Sequence, residues 1–317
     1  MRALWLEQGR LDLREVEAPE PARGEALVRV RRAGVCGTDL ALLKGYLPFA
    51  GVPGHEFVGQ VVDAPGASQW LGRRVVADIN VTCGTCRECQ AGRRTHCERR
   101  QVLGLRGRAG ALAEALCVPV ANLHAVPDGL GDDEAVFAEP LAAALHVLDA
   151  AQVTPDTRAV VLGGGRLGTL VAQALKLAGC VPFVVARDPG RLARLRALGL
   201  AAGAYEELEP RRADVAIECS GRPEGVDLAR RALRPRGTLV LKSTCAGATP
   251  VDVAALVVDE LMLVGSRCGD LGHALRALAA GEVRVLPLID ARYPLARAAE
   301  AFAHAAGPGV MKVVVEP

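Results

Sequence analysis

Positions 83 to 97 read Cys-Gly-Thr-Cys-Arg-Glu-Cys-Gln-Ala-Gly-Arg-Arg-Thr-His-Cys. Cys83, Cys86, Cys89 and Cys97 are separated by two, two and seven residues. Gaps of two let one loop present several sulfurs to one ion, and four thiolates complete the closed tetrahedral shell of a structural zinc. Gly84 and Gly92 permit the backbone turns this needs. Cysteine ligation by itself also admits an iron–sulfur cluster, which stands as the alternative. His96 lies in the run but is surplus to four sulfurs, and it reads as a surface residue.

A second set is dispersed. Cys36-Gly37-Thr38-Asp39 follows a strand-like segment, Gly54-His55-Glu56 comes later, and Glu139-Pro140 much later still. Singly, a cysteine or histidine is more often a core residue than a ligand. Together they offer a sulfur, an imidazole and a carboxylate. Three such ligands hold a catalytic zinc and leave its fourth position for water or substrate.

The third feature is Val160-Val161-Leu162-Gly163-Gly164-Gly165-Arg166-Leu167-Gly168. A strand runs into G-x-G-x-x-G and then a helix, the fingerprint of a dinucleotide site. Gly163 serves the tight turn, Gly165 the close approach of the pyrophosphate and Gly168 the helix–strand packing. Leu167, with Arg166 just before it, opens the helix whose N-terminus faces the phosphates. An acid at the end of the next strand selects NAD by binding the ribose hydroxyls. Here Ala186 holds that place and Arg187 follows, which favours NADP; Asp188 keeps NAD open if the strand end is shifted.

These residues need elements to place them. The first ~140 residues read as mostly β: short Val-rich runs such as 26–30 and 58–62, bounded by Gly, Pro or Asp. From Arg158 onward strands and helices alternate. Strands are expected at 159–162, 181–186, 213–219 and 238–241, with helices at 167–177, 191–198 and 226–233. That alternation predicts βαβ units on a doubly wound parallel sheet, and the strands are nearly continuous in apolar residues, as buried parallel strands are. A helix at 141–151 joins the halves, and a helix at 273–280 and a strand-like end at 309–315 follow.

The 317 residues exceed one ordinary core, so two domains are expected, 1–140 with 271–317 and 141–270. A net charge of +2 is too mild to argue for nucleic-acid or membrane partners. Seven arginines between Arg87 and Arg108 raise a nucleic-acid module, but no aromatic residues interleave with them for base stacking. The start meets charged residues too early for a secretory segment, and apolar runs are too short to span a bilayer, so a cytoplasmic location is the default expectation. Ten cysteines in a chain of this size, clustered as they are, point to metal more than to disulfides.

The motifs in this order, ending with Glu139-Pro140-Leu141-Ala142 and the glycine loop, resemble the medium-chain zinc alcohol dehydrogenase family over nearly the whole chain. Its polyol, glucose and threonine dehydrogenase branches are the most similar. The resemblance implies a GroES-like catalytic domain beside a Rossmann cofactor domain, two zinc ions per chain, NADP or NAD, and a homodimer or homotetramer. It implies hydride transfer between the nicotinamide and an alcohol, expected to be a secondary alcohol, polyol or sugar.

By the same resemblance Cys36 and His55 bind the catalytic zinc, with Glu139 as third ligand and Glu56 close enough to exchange with it or with water. Asp39 orients His55, and Thr38 contacts the substrate hydroxyl and passes its proton on. Ser220, in Cys219-Ser220-Gly221, belongs to the loop beneath the nicotinamide, Val264 to Arg267 match the last strand of the cofactor domain and its exit, and Lys312 lies near the phosphates. One departure is Ala41, where many relatives carry the histidine that ends the proton relay. His124 and His146 are the substitutes considered, and each reads more simply as structural. A zinc-independent quinone or enoyl reductase on the same scaffold is the alternative activity.

Overall fold

A computed structural model describes residues 1–244 and 248–317. The chain separates into two compact units. The first comprises Met1–Glu139, Leu271–Ala280 and Val285–Pro317; the second comprises Pro140–Asp270 and Gly281–Arg284.

The first unit is built on a seven-stranded mixed sheet. Its longest pairing joins Glu25–Gly34 to Glu56–Asp63, antiparallel. The strand Lys312–Glu316 lies against Glu25–Gly34 on the other side and pairs in parallel with Ile289–Pro294. Glu25–Gly34 alternates, burying Val28 and Val30, whereas Glu56–Asp63 and Lys312–Glu316 bury consecutive residues, Phe57 and Val58 and Val313 to Val315, so both of their faces are covered. The four cysteines stand between the strand Asn80–Val81 and its partner Gln101–Leu103, two strands of a separate three-stranded sheet.

The second unit holds six strands, all parallel. They run across the sheet as Ala201–Gly203, Phe183–Val185, Ala159–Leu162, Ala213–Glu218, Leu233–Leu241 and Met262–Gly265. Counted within the unit, that is the Rossmann order 3-2-1-4-5-6. The order reverses between Ala159–Leu162 and Ala213–Glu218, and the crevice beyond their carboxyl ends is where such folds bind ligands. Helices cover the sheet because each has an apolar stripe. The helix Arg166–Leu177 buries Gly168 to Leu175, and Glu224–Ala232 buries Val226, Ala229 and Ala232.

The expected strands and helices of this unit are present, with their ends moved by a few residues. The helix expected at 141–151 is broken in two, Ala138–Leu145 and Val147–Ala150, with His146 between them. Among the described residues, elements without a strong sequence signal include the helices Gly37–Leu43, Val253–Val258 and Ala298–Ala305 and the strands Ala201–Gly203 and Ile289–Pro294. Among the described residues no helix is long and apolar enough to cross a membrane.

Candidate metal and cofactor sites

Cys36 is the N-cap of the helix Gly37–Leu43. Its sulfur accepts from the Thr38 N–H at 3.5 Å, and its own N–H donates to Asp39 Oδ2 at 2.9 Å. This is a reciprocal capping box with a thiol in the place of the usual hydroxyl. The cap fixes Cys36 and Asp39 at once, with Thr38 Oγ1 3.7 Å from the sulfur.

His55 and Glu56 come from the start of the strand Glu56–Asp63. Gly54, before them, has φ +96°, and a Cβ there would lie 2.8 Å from Leu112. A side chain is excluded twice, by conformation and by packing. Asp39 Oδ1 then lies 3.3 Å from His55 Nδ1, in ion-pair range though off the line of a straight hydrogen bond. Both are buried, Asp39 completely. Burial alone lowers the pKa of His55; Asp39 and Cys36 outweigh it and hold the imidazole well above its ordinary value.

Ligand atoms of Cys36, His55 and Glu56 lie within 4.8 Å of one another. Glu139, at the start of the helix Ala138–Leu145, is not in that group. The carboxylate that the geometry brings to Cys36 and His55 is therefore Glu56. A half-buried thiol, a buried imidazole and a buried carboxylate, with Asp39 behind the imidazole, make a donor set that fits zinc.

Lys312 has a different partner from the phosphates beside which it is expected. It is 3% exposed, and its ammonium donates to Glu56 Oε2. Gly34 makes room, since a Cβ there would sit 2.5 Å from that same oxygen. The sequence carried no signal for this pair, whose members are 256 residues apart. His124 and His146 are outside the group as well; His146 Nδ1 is 3.0 Å from Asp149 on its own helix.

Cys83, Cys86, Cys89 and Cys97 form the second group, again within 4.8 Å. The sulfur of Cys97 lies 3.6 Å from that of Cys83 and 3.9 Å from that of Cys86. Around a tetrahedral zinc with Zn–S near 2.3 Å, neighbouring sulfurs stand about 3.8 Å apart. The backbone N–H groups of Cys83 and Cys86 point at sulfurs, each at 3.4 Å. Backbone N–H groups of Thr85 and Cys86 lower the Cys83 pKa to about 5, while burial and neighbouring sulfurs push Cys89 up to about 11. A group whose first thiol ionises readily and whose last resists becomes four thiolates when a cation compensates them. His96 is exposed and outside the group.

In the second unit the glycine loop connects Ala159–Leu162 to Arg166–Leu177. Gly163 has φ +110°, and a Cβ on it would meet the Cys219 backbone at 2.7 Å. A Cβ on Gly168 would sit 1.8 Å from Gly163 O, so the helix can approach the strand only with glycine there. Gly165, the helix N-cap, is different: a Cβ on it would meet no atom closer than 4.0 Å. Packing does not demand glycine at 165, and a closely approaching phosphate does. Arg166 and Leu167 form the first turn. The contact with Gly163 puts Ser220 at the same crevice, its N–H and hydroxyl both held by Glu218 Oε1 at 2.6 and 2.5 Å. Arg187 is exposed just past the strand Phe183–Val185, and Asp188 caps the helix Pro189–Ala197.

Residues 22–128 match the family model of the alcohol dehydrogenase GroES-like domain, and residues 167–281 match that of the zinc-binding dehydrogenases. The chain belongs to the zinc-dependent medium-chain alcohol dehydrogenase family. It is an NAD(P)-dependent oxidoreductase of the alcohol dehydrogenase class, with a GroES-like unit and a Rossmann unit. L-Threonine 3-dehydrogenase of Streptomyces avermitilis is 31% identical, over 100% of this chain and 99% of that one. The 2-dehydro-3-deoxy-L-galactonate 5-dehydrogenase of Pseudoalteromonas atlantica is 30% identical, over 95% and 94%. A solved structure from Sinorhizobium meliloti 1021, described as a zinc-binding dehydrogenase bound to NADP, superposes with TM-score 0.93 and 31% identity, covering 100% and 99% of the two chains.

Proposed function

We propose that this alcohol dehydrogenase acts on a secondary hydroxyl of a small polyol, sugar or hydroxy acid, with NADP as the preferred cofactor and two zinc ions per chain. The carrying observation is the convergence of the half-buried Cys36 with the buried His55 and Glu56, with Asp39 behind the imidazole. When bound, the zinc supplies a Lewis acid that lowers the pKa of an alcohol oxygen, and the nicotinamide supplies the hydride acceptor.

The chain's own residues do the rest. Cys36 and His55 hold the metal, with Glu56 as the carboxylate beside them and Glu139 as the family's alternative. Asp39, at Nδ1, fixes the imidazole so that its other nitrogen is the ligand atom. The Thr38 hydroxyl, 3.7 Å from the Cys36 sulfur, would take the substrate proton, and Ala41 at the usual relay position offers no side-chain acceptor beyond it. The backbone N–H groups at Gly165 to Gly168 would bind the pyrophosphate and Ser220 would serve the nicotinamide end, while Lys312 is engaged with Glu56. The NADP preference is supported by Ala186 at the strand end and by Asp188, whose carboxylate is engaged in a helix cap.

Among the described residues the edge strand Met262–Gly265 pairs on one side only, and Met262, Leu263, Val257 and Val258 are exposed. An unprotected apolar edge of this kind supports a homodimer formed there, with a tetramer as the next possibility to be sized. The absence of disulfides among the described cysteines is in keeping with a reducing, cytoplasmic setting.

The test is a panel of secondary alcohols, polyols and aldoses with NAD and NADP, run beside metal analysis and light scattering. Hydride transfer from a member of the panel and two zinc ions per chain are expected. No transfer from any alcohol, with one zinc per chain and reduction of quinones or enones, would transfer the assignment to the zinc-independent reductases.

A further inference from the structure

Lys242 follows the strand Leu233–Leu241 and is 8% exposed. Its backbone N–H donates to Glu218 O at 3.0 Å, at the carboxyl end of the neighbouring strand. Its ammonium donates to Ala143 O at 2.6 Å, and to Ser266 Oγ and Arg267 O at 3.3 Å each. Three N–H donors meet three acceptors, as an ammonium requires; a neutral amine would turn its lone pair on one of those oxygens. Ala143 O is the carbonyl that the Val147 N–H takes in a continuous helix. Lys242 occupies it, and the helix Ala138–Leu145 ends there, before His146. A helix C-terminus stabilises positive charge, so the break in this helix is a seat for the ammonium. The seat lies at the carboxyl ends of three adjacent strands, the side on which this fold binds its ligands. The next residue, Ser243, accepts the Gly221 N–H at 2.9 Å and so holds the Ser220–Gly221 loop. Desolvation and Glu218 push the Cys219 thiol pKa up while Lys242 opposes them, so the field of the ammonium reaches that loop.

We propose that Lys242 sets the balance between oxidised and reduced cofactor, its charge disfavouring the cationic ring of NADP⁺ against the neutral ring of NADPH. The inference rests on the placement of the nicotinamide at the Ser220 loop and adds a charge that acts on it. In the reaction the alcohol carbon gives up a hydride, with both electrons of its C–H bond, and the hydroxyl gives up a proton. The ring that accepts the hydride goes from +1 to 0, and no other group of the cofactor changes charge. A fixed cation nearby therefore favours the product side and draws the bound couple toward alcohol oxidation. A buried ammonium acts through a dielectric well below that of water, and salt screens it little. Glu218, 1% exposed, is the opposing charge, its Oε1 held by the Ser220 N–H and hydroxyl. Replacing Lys242 removes the positive member alone, so the shift in balance reads the lysine.

The test is equilibrium titration of the zinc-loaded enzyme with NADP⁺, NADPH and 2′-phospho-ADP-ribose, and with the three counterparts that lack the 2′-phosphate. The ADP-riboses have no nicotinamide, and no ligand turns over without an alcohol. Wild type binds the reduced cofactor more tightly than the oxidised one. In Lys242→Met and Lys242→Gln that preference falls about 5- to 15-fold, the effect of a unit charge about 10–15 Å away at an effective dielectric of about 20. The ADP-riboses bind as before, and Lys242→Arg, which keeps the charge, keeps the preference. A preference unchanged in both neutral variants, or lost equally in Lys242→Arg, would overturn the proposal. So would equal weakening of all ligands, which marks a damaged fold, and so would a wild type that does not favour the reduced form. Ser220→Leu tests the placement beneath: it weakens both cofactors and spares the ADP-riboses if the nicotinamide lies at that loop. Equal weakening of cofactors and ADP-riboses in Ser220→Leu removes the placement and the proposal together.

Discussion

Replacing Glu56 with methionine strands the ammonium of Lys312 in the interior. The two side chains are 2% and 3% exposed, so neither charge has water to fall back on. Removing one member of such a pair costs about 3–5 kcal/mol, because the survivor keeps its desolvation penalty and loses its partner. Replacing both with unbranched apolar side chains of similar length is close to neutral, and Met at 312 can rest on the Phe137 ring that Lys312 already covers. Glu56→Met, Lys312→Met and the double variant therefore form a cycle with a large coupling term.

Urea unfolding followed by tryptophan emission measures it. The chain has 2 tryptophans, Trp5 and Trp70, and both lie in the first unit, so the signal reports on that unit alone. With a urea slope of about 2 kcal/mol/M, the single substitution lowers the midpoint by about 1.5–2.5 M. The series is run in chelator, since zinc at Cys36 and His55 would add ligand-linked stability that differs between variants. A Glu56→Met protein within about 1 kcal/mol of wild type, or a double variant no more stable than Glu56→Met alone, would refute the reasoning, because a pair still in contact with water behaves in that way.

His55→Ala removes one of two zinc ions and abolishes turnover with little change in melting, whereas Cys97→Ser removes the other and lowers the melting temperature; metal content and calorimetry on the same samples check both, and an active His55→Ala enzyme would refute the first. Gly168→Ala forces a Cβ to within 1.8 Å of a backbone oxygen that no rotamer change can move, so we expect a loss of about 1–3 kcal/mol and weakened NADP binding, and an unchanged dissociation constant would count against it. Asp133 bridges Arg292 and Arg32; burial raises its pKa, but their hydrogen bonds outweigh this and hold it below the ordinary carboxyl value. A depressed folded pKa contributes stability that is present above the unfolded pKa and lost as pH falls through the folded one. The urea-midpoint gap between wild type and Asp133→Asn is therefore full at about pH 7 and closes below about pH 4, and a gap independent of pH would refute the bridge.

Much of this was legible in the chain itself. The four-cysteine lobe is local, so its spacing alone brings four sulfurs together. The glycine loop is local too: strand, turn and helix are contiguous, and Gly163, Gly165 and Gly168 each answer a distinct requirement. Apolar continuity marked the buried parallel strands because both their faces are covered. The helix Gly37–Leu43 was not legible, because its cap is a cysteine and its seven residues are too few to show a period.

What only the tertiary structure decided depends on contacts between distant segments. The pairing of Glu56 with Lys312 arises because their strands flank Glu25–Gly34 in one sheet, and Gly34 between them has no side chain to keep them apart. That Glu56 joins Cys36 and His55 follows from the same sheet. The diversion of Asp188 into a helix cap depends on where a helix starts to within one residue. Sequence fixes which chemical groups are present and any geometry that one turn of backbone can impose. Burial and partner choice are set by side chains that meet only when the sheets form, and no local pattern encodes them.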